Sequence, residues 1–412
     1  MEEKLRFVFE HERGEWSMKD LCERYEIARE TGYFWLRRYR ELGIEGLKEK
    51  SRARQGHENQ TPAEIEEMVL DLRRAHMSWG PRKLKRVLER DEPGRKWPAR
   101  STMGEMLKRE GLVVGRRKRL RTAPYTEPLG HADRPNRVWC ADFKGWFRTG
   151  DGRRIDPLTI SDAHSRYLLK CQAVAKTDTS RVQAVFEAAF REYGMPEAIR
   201  TDNGAPFAST ALAGLSRLAV WWMKLGIVAE RIAAGHPEQN GRHERMHRTL
   251  KQEVAQPAAA NWREQQRAME RFRQEYNQVR PHEALGMQTP AVVYEPSPRS
   301  FPARVTAPEY PDDMLVRQVK HHGQFRWKKQ DVFLTEVLWG EPVGLLAEDD
   351  RWYTVYFARF PMARFDSRQL RVLPLKKAKE YDDADAGEGE ASPSPAPHPL
   401  KPEEKVSGMC PV

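Results

Sequence analysis

Cysteine is scarce in this 412-residue sequence, and no C-x-x-C pair occurs among the four cysteines, Cys22, Cys140, Cys171 and Cys410. Their wide spacing argues against a disulfide framework and against a zinc ribbon, and it fits a reducing compartment such as the cytoplasm. The sequence also lacks a signal peptide and any apolar run approaching the ~18 residues of a membrane-spanning helix. We therefore expect neither secretion nor association with a membrane.

Acidic residues are outnumbered by basic ones. Lys and Arg total 71 against 60 Asp and Glu, which gives a net charge of +11 at pH 7. This balance favours a polyanionic partner such as nucleic acid, although basic surfaces alone are common among other proteins. The length is sufficient for two to four domains with a sizeable core.

Residues 1–58 predict a first helix-turn-helix unit. Ser17 is a plausible N-cap for a helix through Tyr25, and an amphipathic helix follows from Arg29 to Leu42. In a helix-turn-helix the second helix enters the major groove of DNA. The exposed start of that helix supplies three candidate DNA-binding residues: Arg29, Thr31 and Tyr33.

Three residues depart from the usual helix-turn-helix pattern, and one of them is Ala28, at a position where a capping serine is common. Glu26 occupies a turn position that usually carries glycine, and Gly32 should weaken its helix by about 1 kcal/mol. A plain three-helix scaffold is therefore the alternative for this segment.

Residues 59–114 predict a second helix-turn-helix or winged-helix-like unit. Thr61-Pro62 begins one helix with a capping box, and Gly80-Pro81 begins another. Residues 115–135 form a basic, proline-containing linker. It can be a solvated connection, an arm that follows DNA phosphates, or both. Its candidate DNA-binding residues are Arg116, Arg117, Lys118 and Arg119.

Two aspartates lie on or just after predicted strands. Asp142 lies in the apolar run from Val138 to Phe143, and Asp202 follows a short strand from Ala198 to Thr201. The sequence after this second strand, Asp-Asn-Gly, is typical of a turn. Asp202 should therefore lie at the carboxyl edge of a sheet, where α/β proteins usually bind ligands.

A helix is predicted from near Gly241 to beyond Lys251. At 100° per residue, its apolar face carries Met246, Leu250 and Val254. The opposite face carries Glu244, His247, Arg248 and Lys251. Alone, a carboxylate beside these cations could be an ordinary exposed ion pair worth a few tenths of a kcal/mol.

The motifs TDNG-x-x-F, HP-x-x-NG-x-x-E and W-x-x-D-F together resemble the integrase core of bacterial insertion-sequence transposases and retroviral integrases. This resemblance to the Asp-Asp-Glu (DDE) transposases implies an α/β ribonuclease-H-like catalytic core at residues 136–298. It also implies that Asp142, Asp202 and Glu244 are the catalytic residues and the ligands of two Mg²⁺ ions, with Mn²⁺ as a substitute metal. Three carboxylates are the ligand set that Mg²⁺ prefers.

Other residues of the core follow from the same resemblance. Arg248 and Lys251 match family positions that contact the DNA end, and Asn240 is a further candidate DNA-binding residue. Asp162 belongs to a turn motif that is mostly structural in the family, so we leave it out of the active site.

The choice of glutamate has an alternative. Many family members have 35 residues between the second aspartate and the glutamate, a spacing that points to Glu238. The motif favours Glu244, three residues after Gly241, and a helix holds a metal ligand more rigidly than a turn does. A gap of 41 residues then implies a short insertion around 214–225.

The C-terminal part changes character. Residues 310–375 contain short runs rich in Val, Phe, Trp and Tyr, broken by Gly and Asp, which predicts a small β-barrel. Residues 376–412 have an acidic and Ser-Pro-rich composition that predicts a disordered tail.

The sequence as a whole predicts a multidomain transposase that binds terminal inverted repeats and catalyses Mg²⁺-dependent 3′-end cleavage and strand transfer. Its expected partners are double-stranded DNA, both element ends and target, and further copies of itself in a homodimer or larger oligomer. Its expected location is the bacterial cytoplasm, at the nucleoid. The alternatives are a catalytically silent DNA-binding regulator descended from a transposase and a ribonuclease-H-type nuclease.

Overall fold

A computed structural model describes residues 1–49, 60–113, 132–209, 211–232 and 241–375, and the chain divides into two compact units, Met1–Ala63 and Glu64–Val412. The helices are α1 Glu2–Glu12, α2 Met18–Arg24, α3 Arg29–Leu42, α4 Ala63–Ala75, α5 Pro81–Asp91, α6 Arg100–Arg109, α7 Thr179–Tyr193, α8 Arg217–Lys224, α9 Gly241–Val254, α10 Trp262–Gln278 and α11 Pro290–Val293. The strands are β1 Val138–Phe143, β2 Phe147–Arg148, β3 Arg154–Asp162, β4 Leu168–Val174, β5 Ala198–Thr201, β6 Val228–Arg231, β7 Met314–Gln318, β8 Gln324–Trp327, β9 Gln330–Phe333, β10 Pro342–Ala347, β11 Trp352–Phe357, β12 Phe360–Asp366 and β13 Arg371–Pro374.

The first unit contains the predicted helix-turn-helix. Ser17 Oγ accepts a hydrogen bond from the backbone N–H of Asp20 and so caps α2, as the sequence predicts. Glu26 has a φ of +50°, the left-handed conformation in which these turns usually carry glycine. Buried side chains of all three helices, including Phe7, Leu21 and Leu36, form the core of the unit.

Gly32 has a packing role in α3. A Cβ atom at this position would lie 2.8 Å from Cζ of Phe7 and 2.9 Å from Sγ of Cys22. Glycine therefore lets α3 approach the other two helices closely, and this close approach offsets its low helix propensity.

The second predicted helix-turn-helix, α4 to α6, is called the second helical unit. It lies within the larger compact unit and packs on the C-terminal part of α10. Trp79 and Leu84 are fully buried in its core. Nδ1 of His76 lies 2.9 Å from a carboxylate oxygen of Glu275, and Arg90 donates to the carbonyl of Val279 at 3.3 Å. These contacts join the unit to the central domain.

The central sheet has the strand order β4-β3-β1-β5-β6, and β2 pairs with β3. Strand β3 is antiparallel to β1 and β4, whereas β1, β5 and β6 are parallel to one another. Helices α7 and α8 cover one face around Phe186 and Trp222, and helices α9 and α10 cover the other around Leu250 and Phe272. This mixed sheet between two helical layers confirms the predicted ribonuclease-H-like core.

The segment assigned to an insertion contains a helix of the core. Trp221 and Trp222 of α8 pack in the central domain, whereas Val220 and Met223 pack against the C-terminal strands. Nζ of Lys224 also lies 2.7 Å from a carboxylate oxygen of Glu341. Helix α8 therefore connects two hydrophobic cores.

The predicted closed β-barrel is not confirmed. Strands β13-β12-β11-β10-β7 form an antiparallel sheet, and β8 and β9 form a separate hairpin. In the described part of the chain, β7 and β13 remain the two edges of the sheet, which is therefore open. Within the described ranges, no helix has the length and apolar character needed to cross a bilayer.

Candidate active site

Two aspartates lie side by side at the carboxyl edge of the central sheet. Cys140 on β1 is aligned with Arg200 on β5, and Asp142 and Asp202 each follow two residues later. Neighbouring strands are about 4.8 Å apart. The parallel register therefore brings together the two carboxylates that the sequence places at this edge.

The two carboxylates have different surroundings. Asp202 is half-buried, and one of its oxygens accepts a hydrogen bond of 3.1 Å from the backbone N–H of Gly204. The side chain of Asp142 is 17% exposed, and its Oδ2 lies 3.9 Å from Nδ1 of His247. Both carboxylates therefore remain accessible from the edge of the sheet.

Helix α9 packs one face on the sheet beside these aspartates. Its buried residues include His243, Met246, His247, Leu250 and Val254, and its exposed residues include Glu244, Arg248 and Lys251. The prediction that His247 shares the exposed face with Glu244 is wrong. The polar side chains of β3 provide partners for imidazoles, so the buried stripe of α9 is wider than its apolar residues indicate.

A buried hydroxyl links α9 to the sheet. Oγ1 of Thr159 lies 2.6 Å from Nε2 of His243 and 2.7 Å from Nε2 of His247, and it donates to the carbonyl of Asp142 at 3.1 Å. A hydroxyl has one proton, so both imidazoles donate to Thr159 through Nε2–H. Oγ of Ser161 lies 3.3 Å from Nδ1 of His243 and completes the network.

Both histidines are neutral at pH 7. Burial lowers the pKa of His243 to about 4. Burial, together with the positive fields of His243 and Lys144, lowers the pKa of His247 to about 2. The pair therefore positions α9 without adding positive charge beside Asp142.

Glu244 is exposed in the first turn of α9, one residue after the buried His243. Among the residues that the structure describes, no three His, Cys, Asp or Glu side chains form a group able to hold a metal ion. The structure thus brings Asp142 and Asp202 together without Glu244. Asp142, Asp202 and Glu244 still fit Mg²⁺, because all three are carboxylates. A cation between these side chains would offset their mutual repulsion.

The other predicted site residues lie in several places. On α3, Arg29 and Tyr33 are exposed and Thr31 is half-buried. Arg248 and Lys251 are exposed on the same side of α9 as Glu244. Six residues lie outside the described ranges: Arg116, Arg117, Lys118, Arg119, Glu238 and Asn240.

Thr159 and His243 belong to the site but were not predicted from the sequence. The i, i+4 spacing of His243 and His247 was an available signal, because residues four apart share a helix face. Thr159 lies in an apolar strand and gives no comparable signal, since only the packing of α9 on β3 reveals its partners.

Asp162 has a structural role. One of its oxygens accepts from the backbone N–H and the hydroxyl of Ser165, and the other accepts from the backbone N–H of Asn136 at 2.8 Å. Its carboxylate is thus committed to the turn between β3 and β4.

Family models match both parts of the chain. Two models described as an integrase core domain match residues 132–237 and 225–290. A helix-turn-helix domain matches residues 3–55, and a homeodomain-like domain matches residues 31–107.

Curated relatives include a 31.7 kDa protein of insertion element IS407 from Burkholderia multivorans, 29% identical over 58% of this chain and 82% of its own length. A 39.2 kDa protein of insertion element IS476 from Xanthomonas euvesicatoria is 28% identical over 54% of this chain and 62% of its own length. Among solved structures, this chain is similar to a simian T-cell lymphotropic virus intasome in complex with PP2A regulatory subunit B56 gamma. The two sequences are 16% identical, the match covers 75% of this chain and 96% of that chain, and the TM-score is 0.36.

The sequence matches and the fold agree in their order along the chain. Helical DNA-binding domains come first, and the integrase core with its two adjacent aspartates follows. The relatives found by sequence are proteins of insertion elements. Together the matches support a bacterial insertion-sequence transposase with N-terminal helix-turn-helix domains and an integrase-like core.

Proposed function

We propose that this protein binds the terminal inverted repeats of its element and catalyses Mg²⁺-dependent 3′-end cleavage and strand transfer into target DNA. The observation that carries the proposal is the side-by-side placement of Asp142 and Asp202 at the end of parallel strands in an integrase core. Glu244 lies on the helix that packs against the same end of the sheet.

Asp142 and Asp202 would hold the metal ions, with Glu244 as the third ligand. Two Mg²⁺ ions would compensate the charge that develops on the attacked phosphate. The chain itself fixes the position of Asp142, because Thr159 bonds its carbonyl and anchors the adjacent helix. Glu244 is exposed at the start of α9, so its recruitment would require a local rearrangement there.

DNA recognition would begin at α3. Arg29, Thr31 and Tyr33 lie at the start of this helix, where a helix-turn-helix contacts base edges. Near the carboxylates, Arg248 and Lys251 would hold phosphates of the DNA end. Joining both ends of an element requires two active sites, so we propose that the DNA complex contains two or more copies of the chain.

The decisive experiment compares three substitutions, Asp142→Asn, Asp202→Asn and Glu244→Gln, with Glu238→Gln as the control. We expect each of the three to abolish cleavage and joining of terminal-repeat DNA, because each removes a metal ligand. Binding to the same DNA should remain, and Glu238→Gln should retain full activity.

Other outcomes would contradict specific parts of this proposal. An active Glu244→Gln beside an inactive Glu238→Gln would identify Glu238 as the ligand. A wild-type protein that binds the repeats but neither cleaves nor joins them, with Mg²⁺ or Mn²⁺, would indicate the catalytically silent regulator instead.

A further inference from the structure

A cavity of about 300 Å³ separates the second helical unit from the central domain, on a different side of α9 from Glu244. Its walls come from α5, α9, the turn between β3 and β4, and the segment that follows α10. Four cationic side chains line it: Lys83, Arg166, Arg245 and Arg280.

The acidic residues of the cavity are already engaged. Both oxygens of Asp162 accept hydrogen bonds from the β3–β4 turn and from Asn136. Glu283 lies 3.5 Å from Arg82, outside the cavity. Of the four cations, Arg280 is paired with Glu253 at 3.1 Å.

Two of the cations form no direct ion pair within the described part of the chain. Arg245 donates to the carbonyl of Gly241 at 3.1 Å and forms no ion pair with a described residue. Lys83 forms neither an ion pair nor a hydrogen bond with a described residue, although it is half-buried. The hydroxyl of Tyr276 is a further donor that lacks a described partner.

The positive field of these side chains acts on their neighbours. Burial, followed by the field of Arg280, lowers the pKa of Lys83 to about 8, and the more distant carboxylates of Glu283 and Glu253 only partly oppose this shift. Burial, followed by the field of Lys83, lowers the pKa of His282 to about 3. A bound anion would reduce the electrostatic cost of holding these groups so close together.

We propose that this cavity binds a phosphate group. Lys83, Arg245 and the hydroxyl of Tyr276 supply donors from three different elements, and a phosphate has enough oxygens to accept from all of them. The phosphate comes either from the DNA backbone or from a small molecule such as inorganic phosphate. Only the DNA source rests on the proposed function, because phosphate binding needs neither cleavage nor joining.

The test uses the full-length protein and two measurements. The first is calorimetric titration with inorganic phosphate at constant ionic strength. The second is the salt dependence of binding to a terminal-repeat duplex that lacks terminal phosphates. The variants are Lys83→Ala and Tyr276→Phe, and the control is Arg267→Ala, an exposed cation of α10 that does not line the cavity.

For a small-molecule source, both variants should bind inorganic phosphate about tenfold more weakly than the wild type, the size expected for a lost hydrogen bond to a charged group. For a DNA source, Lys83→Ala should lower the slope of log K against log salt by about one, and Arg267→Ala should leave it unchanged. Tyr276→Phe loses a single hydroxyl, so it provides the test should Lys83→Ala fail to fold.

The proposal is overturned if the variants match the wild type in both measurements. It is equally overturned if Arg267→Ala produces the same changes as Lys83→Ala, because a general loss of positive charge would then explain them. Loss of cleavage in Asp142→Asn with unchanged phosphate binding would show that the two sites are independent.

Discussion

The hydroxyl of Thr159 determines how the glutamate-bearing helix meets the sheet. It is fully buried and has contacts with two imidazoles and one backbone carbonyl. A buried donor or acceptor that loses its partner costs about 1–3 kcal/mol, whereas hydrophobic contacts tolerate a small shift of the helix. This network therefore constrains the position of α9 more narrowly than its apolar side chains do.

We predict that Thr159→Val lowers the melting temperature of the full-length protein by roughly 4–8 °C. The change keeps the shape of the side chain but leaves two buried imidazole N–H groups without an acceptor. The free energy of unfolding should fall by about 2 kcal/mol, which corresponds to this shift in melting temperature for a domain of this size. Differential scanning calorimetry measures it. Thr306→Val, at an exposed threonine, is the control and should leave the transition unchanged. Equal melting temperatures for Thr159→Val and the wild type would show that the network is not needed for stability.

Single residues also show where sequence reasoning reaches its limit. The turn at Glu26 and the cap at Ser17 follow local rules, and both occur where the sequence predicts them. Gly32 and His247 depend on what packs against them. Gly32 allows a close approach between helices, and His247 is a buried partner of Thr159. Helix periodicity places His243 and His247 on one face but does not identify what packs against that face.

At the scale of elements, the sequence locates β1 and β5 within the same bounds as the structure, because each is a short apolar run ended by a polar turn. The register of these two strands then places Asp142 beside Asp202. The C-terminal sheet was harder to predict. Each strand is visible in the sequence, but closure depends on whether β7 meets β13, and these strands lie more than 50 residues apart.

The exposed face of α9 is predicted to bind the phosphates of the DNA end. Arg248 and Lys251 are exposed on the side that carries Glu244, and neither forms an ion pair with a described residue. If each neutralises about one phosphate of the DNA end, Arg248→Ala with Lys251→Ala should lower the salt slope of DNA binding by roughly two. Strand transfer at saturating DNA should also fall sharply, because a displaced end loses the alignment needed for in-line attack.

A second pair of exposed cations provides the matched control for α9. Arg267 and Arg271 lie one turn apart on α10 and are also exposed. Their double substitution by Ala removes the same charge and should preserve both the salt slope and strand transfer. If the α9 pair and the α10 pair behave alike, Arg248 and Lys251 belong to an ordinary solvated helix face.

At the scale of the whole molecule, the two helical units have different relationships to the rest of the chain. Residues 1–63 form a compact unit of their own, whereas α4 to α6 belong to the same unit as the integrase core. The second helical unit is fixed there by contacts such as His76 with Glu275 and Ser78 with the Glu253–Arg280 pair. Deletion of the first DNA-binding domain should therefore leave the second one folded on the integrase core.

We predict that a chain lacking residues 1–63 keeps the main thermal transition of the full-length protein but loses most of its preference for terminal-repeat DNA. The remaining unit retains its own hydrophobic cores, so its melting temperature should change by no more than about 2 °C, less than the effect of 1 kcal/mol in a domain of this size. The loss of α3 removes Arg29, Thr31 and Tyr33, the residues that we propose contact bases. Gel-shift titration against terminal-repeat and random duplexes measures the preference.

Arg29→Ala with Tyr33→Ala in the full-length chain is the matched control, and it should reproduce the loss of preference without removal of a domain. A truncated chain that still discriminates as well as the full-length protein would assign sequence recognition to the second helical unit or to the core.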